Sequence, residues 1–370
     1  MQTVRPAAEY LKHLEPYDPK YLPARIYLNA NENPFGMPDQ ARKELQRMIE
    51  SEPLHRYPDP LAKHLRNTVA AKLGVAAECI VLGNGGDELL FNLCIAYGGP
   101  GRSLLTTPPT FSAYYTDALL TRTKIVEIPR ASACSATGQL DFSIDEQAIL
   151  ERVSVGDIDL VILTTPNNPT GDCLTLDFIE AVLAATDAVV LIDHAYIEFA
   201  DPGYDATSLL KKHANLAILR TFSKAYSLAG MRIGYLVAAP EITQELCKVR
   251  QPYSVDALAA LAALAVLEQE DEVRLQVNCI ISQRELLARR LGEPGLGLSV
   301  APSEANYLLF RVPNAQAVWQ QLHESYGILV RDLSALPGLA DCLRVSIGTP
   351  QENDEFIAAL SCVLNTRAEP

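Results

Sequence analysis

Long apolar runs are missing from this 370-residue chain. The longest, ALAALAALAVL at 257–267, falls short of the ~20 residues that a membrane span needs, so no membrane partner is expected and the run reads as a buried helix. The opening MQTVRPAAEYLKHLEPYDPKYLP carries no apolar core of a secretory signal. Eight cysteines are scattered at 79, 94, 134, 173, 247, 279, 342 and 362, without a CxxC pair or Cys/His spacing. That pattern argues against a bound metal and for free thiols in a reducing, cytoplasmic setting. Positive charge is also scarce: 31 Lys and Arg stand against 45 Asp and Glu, a formal net charge of −14. Such a field repels polyanions, which argues against nucleic acid as the main ligand and leaves room for a local basic pocket around a small anion. Neither a P-loop nor a GxGxxG fingerprint occurs, and no repeat is visible.

What the chain does contain is a series of short apolar runs alternating with helical patterns. CIVLG (79–83), SLLTT (103–107), KIVEI (124–128), DLVILTT (159–165), AVVLID (188–193), LAILR (216–220) and IGYLVAA (233–239) are strand-length. Several are apolar throughout, as in strands buried on both faces, which predicts an α/β fold with a mostly parallel, seven-stranded sheet. Amphipathic pieces such as DELLFNLCIAY and LDFIEAVLAAT lie between them. Beyond a helical stretch near 257–291, the runs ANYLLFRV and CLRVSIG flank a helical AQAVWQQLHESYG. We expect an N-terminal arm at 1–28, a large domain at 29–256 and a smaller α+β domain at 257–370.

Open α/β sheets bind ligands outside the carboxyl ends of their strands. Three such ends carry unusual polar residues: Asn167 and Asn168 after DLVILTT, Asp193 and Tyr196 around AVVLID, and Ser223 and Lys224 after LAILR. An Asp closing an apolar strand needs a cationic or hydrogen-bonding partner. One such end is compatible with a purely structural network; three together point to a site. A fourth element, VLGNGGDELLFNL, is a Gly-rich turn into a helix near Asp87, whose free N–H groups suit a phosphate.

The motifs LNANENPFG (28–36), RYPDP (56–60), GNGGDE (83–88), PPTFSAY (108–114), TPNNPTG (165–171), IDHAYIEF (192–199), RTFSKAYSLAGMRIGY (220–235), PSEANYLLFR (302–311), GILVRD (327–332) and CLRVSIGT (342–349) occur in that order. In them the chain resembles the fold-type I aminotransferases that use pyridoxal 5'-phosphate and, within these, the histidinol-phosphate aminotransferase family. The resemblance implies that Lys224 carries the cofactor as a Schiff base and shuttles the proton at Cα, a task suited to an amine whose pKa falls near other cations and away from water. Asp193 would keep the pyridine nitrogen protonated, and Tyr196 and Asn168 would hydrogen-bond the ring's phenolic oxygen. Ser223, Arg232 and the backbone at Gly86–Asp87 would bind the phosphate, with Phe111 stacked on the ring. Tyr57 would reach the phosphate in the neighbouring subunit, which makes a homodimer with shared sites the expected unit.

Substrate roles follow from the same resemblance. Arg344 would grip a substrate carboxylate and Arg331 the phosphate of histidinol phosphate, with Tyr17 and Asn33 close to the substrate. The expected reaction is ping-pong transfer of an amino group between L-histidinol phosphate and 2-oxoglutarate, in histidine biosynthesis. Alternatives on the same scaffold are an aromatic amino-acid aminotransferase, a decarboxylase of threonine phosphate, and a regulator that binds the cofactor without turnover. Three positions depart from the family pattern, among them Asn84, where the family often has Arg or Ser. His194 stands where the family has Glu, and Phe111 where it commonly has Tyr. Alternation along a strand should turn His194 away from Asp193, so a structural histidine is expected there rather than a base.

Overall fold

The computed structural model describes residues 4–14, 22–134 and 139–365. The chain begins with β1 (Ile26–Leu28), α1 (Asp39–Ser51), α2 (Lys63–Leu73), β2 (Ile80–Asn84), α3 (Gly85–Tyr97), β3 (Ser103–Thr106), α4 (Ala113–Thr121) and β4 (Lys124–Glu127). A small hairpin, β5 (Ala133–Cys134) and β6 (Leu140–Asp141), precedes α5 (Glu146–Val153). Then come β7 (Leu160–Thr164), α6 (Leu176–Ala185), β8 (Val189–Asp193), β9 (Leu216–Thr221), β10 (Ile233–Ala238) and α7 (Pro240–Val249). The last third comprises α8 (Ala257–Leu267), α9 (Glu270–Gly292), β11 (Ser299–Val300), β12 (Tyr307–Arg311), α10 (Ala315–Tyr326), β13 (Ile328–Asp332), β14 (Cys342–Ser346) and α11 (Pro350–Asn365).

The seven apolar runs form one seven-stranded sheet in the order β2-β10-β9-β8-β7-β3-β4. All its neighbours are parallel except β10, which runs against both β2 and β9. Alternate residues of each central strand enter two different apolar layers. Val161, Leu163, Val190, Ile192, Leu216 and Ile218 face one layer. Leu160, Ile162, Val189, Leu191, Ala217 and Leu219 face the other, where α3 and α4 supply Leu89, Leu93, Tyr114 and Ala118. Burial on both faces is why these strands read as continuous apolar runs.

A five-stranded sheet, β1-β13-β14-β12-β11, carries the other strands apart from the β5–β6 hairpin. The end of the expected arm is part of it, because β1 pairs in parallel with β13, Ile26 opposite Ile328. From there the chain passes along residues 29–32 toward the large sheet. Helix α8 coincides with the longest apolar run; it packs against α1, α2 and β10, and Asp256 caps it by accepting from Ala259 N–H at 2.9 Å. The two sheets are stitched together by buried Arg284 of α9, which donates to the carbonyls of Phe199 and Ala305 at 3.1 Å each. Tyr307 Oη adds a bond to Asn167 O at 2.6 Å.

Candidate active site

Strands β7, β8 and β9 end in Thr164, Asp193 and Thr221, and all three residues line one cavity of about 490 Å³. That volume suits a small organic ligand. The residues lie on the α3/α4 side of the sheet, in phase with the second apolar layer. Lys224 follows β9 closely, at the cavity wall. Its Nζ donates to Ala30 O at 3.0 Å and lies 5.7 Å from the centre of the Tyr196 ring. Burial lowers the amine to about 8, and the Arg344 guanidinium pushes the same way, while Glu32 and Asp87 oppose it. Asp193 is buried, and burial raises its carboxyl to about 6 even though Tyr114 O–H (2.7 Å) and Ala195 N–H (2.9 Å) donate to it. Tyr196 Oη accepts from Asn31 Nδ2 at 3.0 Å.

One end of the cavity is built from the start of α3. Gly85 sits at φ +74°, where a Cβ would collide with the Arg232 guanidinium. Only glycine therefore lets the helix N-terminus approach Arg232 this closely. Arg232, itself at φ +50°, donates to Asp87 at 2.8 Å and stands 3.5 Å from Ser223 Oγ. At the other wall, Arg331 and Arg344 are direct partners across the antiparallel pair β13–β14. Partners opposite one another project to the same face, and both side chains line the cavity. Arg344 donates to Asn168 Oδ1 at 2.5 Å and Asn29 O at 2.8 Å, above the Tyr307 ring. Four cations thus gather in one cavity of a chain whose net charge is −14.

The family described as aminotransferase class I and II matches residues 24–360. The chain belongs to this family. A histidinol-phosphate aminotransferase 1 of Carboxydothermus hydrogenoformans is 39% identical over 357 residues, 96% of this chain and 98% of the relative. The aminotransferase also shares its fold with a histidinol-phosphate aminotransferase of Sinorhizobium meliloti solved with pyridoxal-5'-phosphate: TM-score 0.88, 24% identity, 99% of both chains. An L-threonine-O-3-phosphate decarboxylase of Porphyromonas gingivalis is similar at TM-score 0.78 and 26% identity, over 92% of this chain and 99% of the other.

The donor set of this aminotransferase suits pyridoxal phosphate. The α3 N-terminus, Ser223 and Arg232 offer donors to a phosphate, Asp193 offers a carboxylate to a ring nitrogen, and Lys224 offers an amine to an aldehyde. Gly86, Asp87, Phe111, Asn168, Asp193, Tyr196, Ser223, Lys224, Arg232, Arg331 and Arg344 all line the one cavity. Tyr57 and Asn33 do not. Tyr57 is 81% exposed and stacks on Tyr253 with ring centres 4.6 Å apart. Asn33 Nδ2 donates to Ala225 O at 3.1 Å and Gln276 Oε1 at 3.3 Å, tying the 29–33 segment to the chain after Lys224 and to α9. Tyr17 lies outside the described residues. No group of three or more metal-ligating side chains occurs among the described residues.

Sequence reasoning missed Tyr114, Thr164, Asn31 and Glu32, all in contact with the site's residues or lining the cavity. A signal for Tyr114 was present in PPTFSAY, where it follows Phe111 by three positions; its N–H donates to Phe111 O at 3.3 Å in the turn that opens α4. Their rings meet edge to face at 5.7 Å. The structure also separates two adjacent asparagines. Asn168 faces the cavity, whereas Asn167 is fully buried and spent on the loop, donating to Pro109 O at 3.0 Å and accepting from Thr110 Oγ1 at 2.7 Å.

Proposed function

We propose that this aminotransferase uses pyridoxal phosphate to move an amino group between L-histidinol phosphate and 2-oxoglutarate, a step of histidine biosynthesis. When bound, the cofactor supplies a carbonyl that takes the amino group and a ring that accepts the electron pair released at Cα. Lys224, lowered to about 8, holds the cofactor and takes and returns the Cα proton. Asp193 would keep the ring nitrogen protonated, Asn168 and Tyr196 would hydrogen-bond the ring's phenolic oxygen, and Phe111 would stack on the ring. The backbone N–H groups at Gly86–Asp87, with Ser223 and Arg232, would hold the phosphate. Arg344 binds the glutamate carboxylate, with Tyr17 assigned to the substrate side, while Asn33 acts outside the cavity by tying the 29–33 segment to Ala225 and Gln276. The site is completed in a homodimer by the partner subunit's Tyr57, and the enzyme works in the cytoplasm.

The observation that carries the substrate assignment is the in-register pair Arg331 and Arg344, two forked cations lining the same cavity as Lys224. A dicarboxylate such as glutamate and a phosphate monoester can both be gripped by such a pair. The name of the 39% identical relative supports the same choice. Steady-state rates on histidinol phosphate, phenylalanine and threonine phosphate test it. Arg331→Gln should cut kcat/KM for histidinol phosphate by ~100-fold, the loss of a charge-assisted pair, and leave phenylalanine within a few-fold. Equal losses on both substrates remove Arg331 as the phosphate ligand. Faster turnover of phenylalanine by the wild type would favour the aromatic aminotransferase, and carbon dioxide release from threonine phosphate the decarboxylase.

A further inference from the structure

Tyr114 is fully buried on α4, and its hydroxyl reaches two strand ends at once. It lies 2.7 Å from Asp193 Oδ2 and 2.8 Å from Thr164 Oγ1. An ionised carboxylate only accepts, so the single phenolic proton goes to Asp193 and Thr164 donates to the phenol. Thr164 and Asp193 are direct neighbours across β7–β8, so the sheet holds both partners of the hydroxyl at a set spacing. The other Asp193 oxygen accepts from Ala195 N–H at 2.9 Å. Each carboxylate oxygen therefore has one protein donor, and the remaining lone pairs are available to the cavity that Asp193 lines.

We infer that Tyr114 is a positioning residue whose hydrogen bond keeps Asp193 ionised and aimed at the ring nitrogen of the bound cofactor. The inference rests on the pyridoxal-phosphate reading above. A core-filling role alone would need the ring of Tyr114 but no hydroxyl, since its layer is otherwise built from residues such as Leu89, Leu93 and Ala118. The ionisable groups that face Asp193 are Tyr114 from α4, Tyr196 just after β8 and Asp87 at the head of α3. Burial and Asp87 both disfavour the carboxylate form of Asp193, and the Tyr114 hydrogen bond opposes them. Without the phenol, Asp193 takes up a proton at higher pH.

The test uses the full-length protein freed of cofactor and two probes. Pyridoxamine phosphate has no aldehyde and makes no covalent bond to Lys224; its 1-deaza analogue has CH in place of the ring nitrogen. In Tyr114→Phe, pyridoxamine phosphate should bind at least ~10-fold more weakly than to the wild type at pH 8, the equivalent of one charge-assisted hydrogen bond. The gap should widen toward pH 6, while binding of the deaza analogue changes less than about twofold. A ring-fluorinated tyrosine at 114 keeps the shape and strengthens the donor, so the pH midpoint of pyridoxamine phosphate binding should move down rather than up. Equal losses for both probes would reduce Tyr114 to a packing residue, and an unchanged pH profile would remove it from the Asp193 assignment. If the wild type binds neither probe, the cofactor reading fails and this inference with it.

Discussion

His194 follows Asp193 directly, yet the two side chains enter different environments. Asp193 lines the cavity, whereas His194 is fully buried away from it, with Nδ1 2.8 Å from Thr165 O and Nε2 accepting from Ala206 N–H at 3.1 Å. A carbonyl only accepts, so Nδ1 carries the proton and the neutral tautomer satisfies both ring nitrogens. Burial, reinforced by Arg220, lowers the imidazole from 6.5 to about 4. Between those values the unfolded chain binds a proton that the folded chain does not, so this histidine makes stability fall as pH falls through that window. His194→Gln should flatten the loss of stability between pH 6.5 and 4 by up to about 3 kcal/mol, as followed by denaturant unfolding at several pH values. An unchanged pH slope would contradict it. Strand alternation made the direction of His194 legible in the sequence. Tyr114 was not legible as a partner of Asp193, because the pair is 79 positions apart and a tyrosine on a helix looks like ordinary core.

Among the elements, the junction of β2 and α3 forms the end of the cavity to which the proposal assigns the cofactor's phosphate. The Asn84 N–H donates to Glu88 Oε2 at 2.6 Å, which ties the head of α3 to the end of β2, and Gly86 and Asp87 beside it line the cavity. Gly85→Ala puts a Cβ at φ +74° and into Arg232. The backbone effect alone should cost about 1 kcal/mol of stability. Displacement of Arg232 should weaken pyridoxamine phosphate binding by ~10-fold while leaving pyridoxamine, which has no phosphate, unaffected. Calorimetric titration with both ligands separates the effects, and equal loss for both would place the phosphate elsewhere. The sequence pattern marked this turn and all seven strands of the large sheet, because two-sided burial leaves continuous apolar runs. It did not mark β1 as an edge strand of the small sheet, since three residues carry too little periodicity to be read.

At the scale of the molecule, the cavity exists because two sheets and the 29–32 segment converge on it. Arg331 and Arg344 come from the small sheet, Asp193 from the large one, and Lys224 from the loop after β9. In the proposed dimer, Lys224→Ala and Tyr57→Ala inactivate each site from opposite subunits. Mixing the two variants under conditions that exchange subunits should restore about a quarter of wild-type activity, because half of the dimers are hybrids with one intact site. No recovery would return Tyr57 to its own chain. The large sheet, the family and the chemical types at each strand end were legible in the chain alone, because burial pattern and strand-end polarity are local properties. Which distant groups meet came from packing: Tyr114 with Asp193, Arg344 with Asn168, and Gly85 with Arg232. Those pairings depend on register and packing between elements far apart in the chain, and no local pattern encodes that distance.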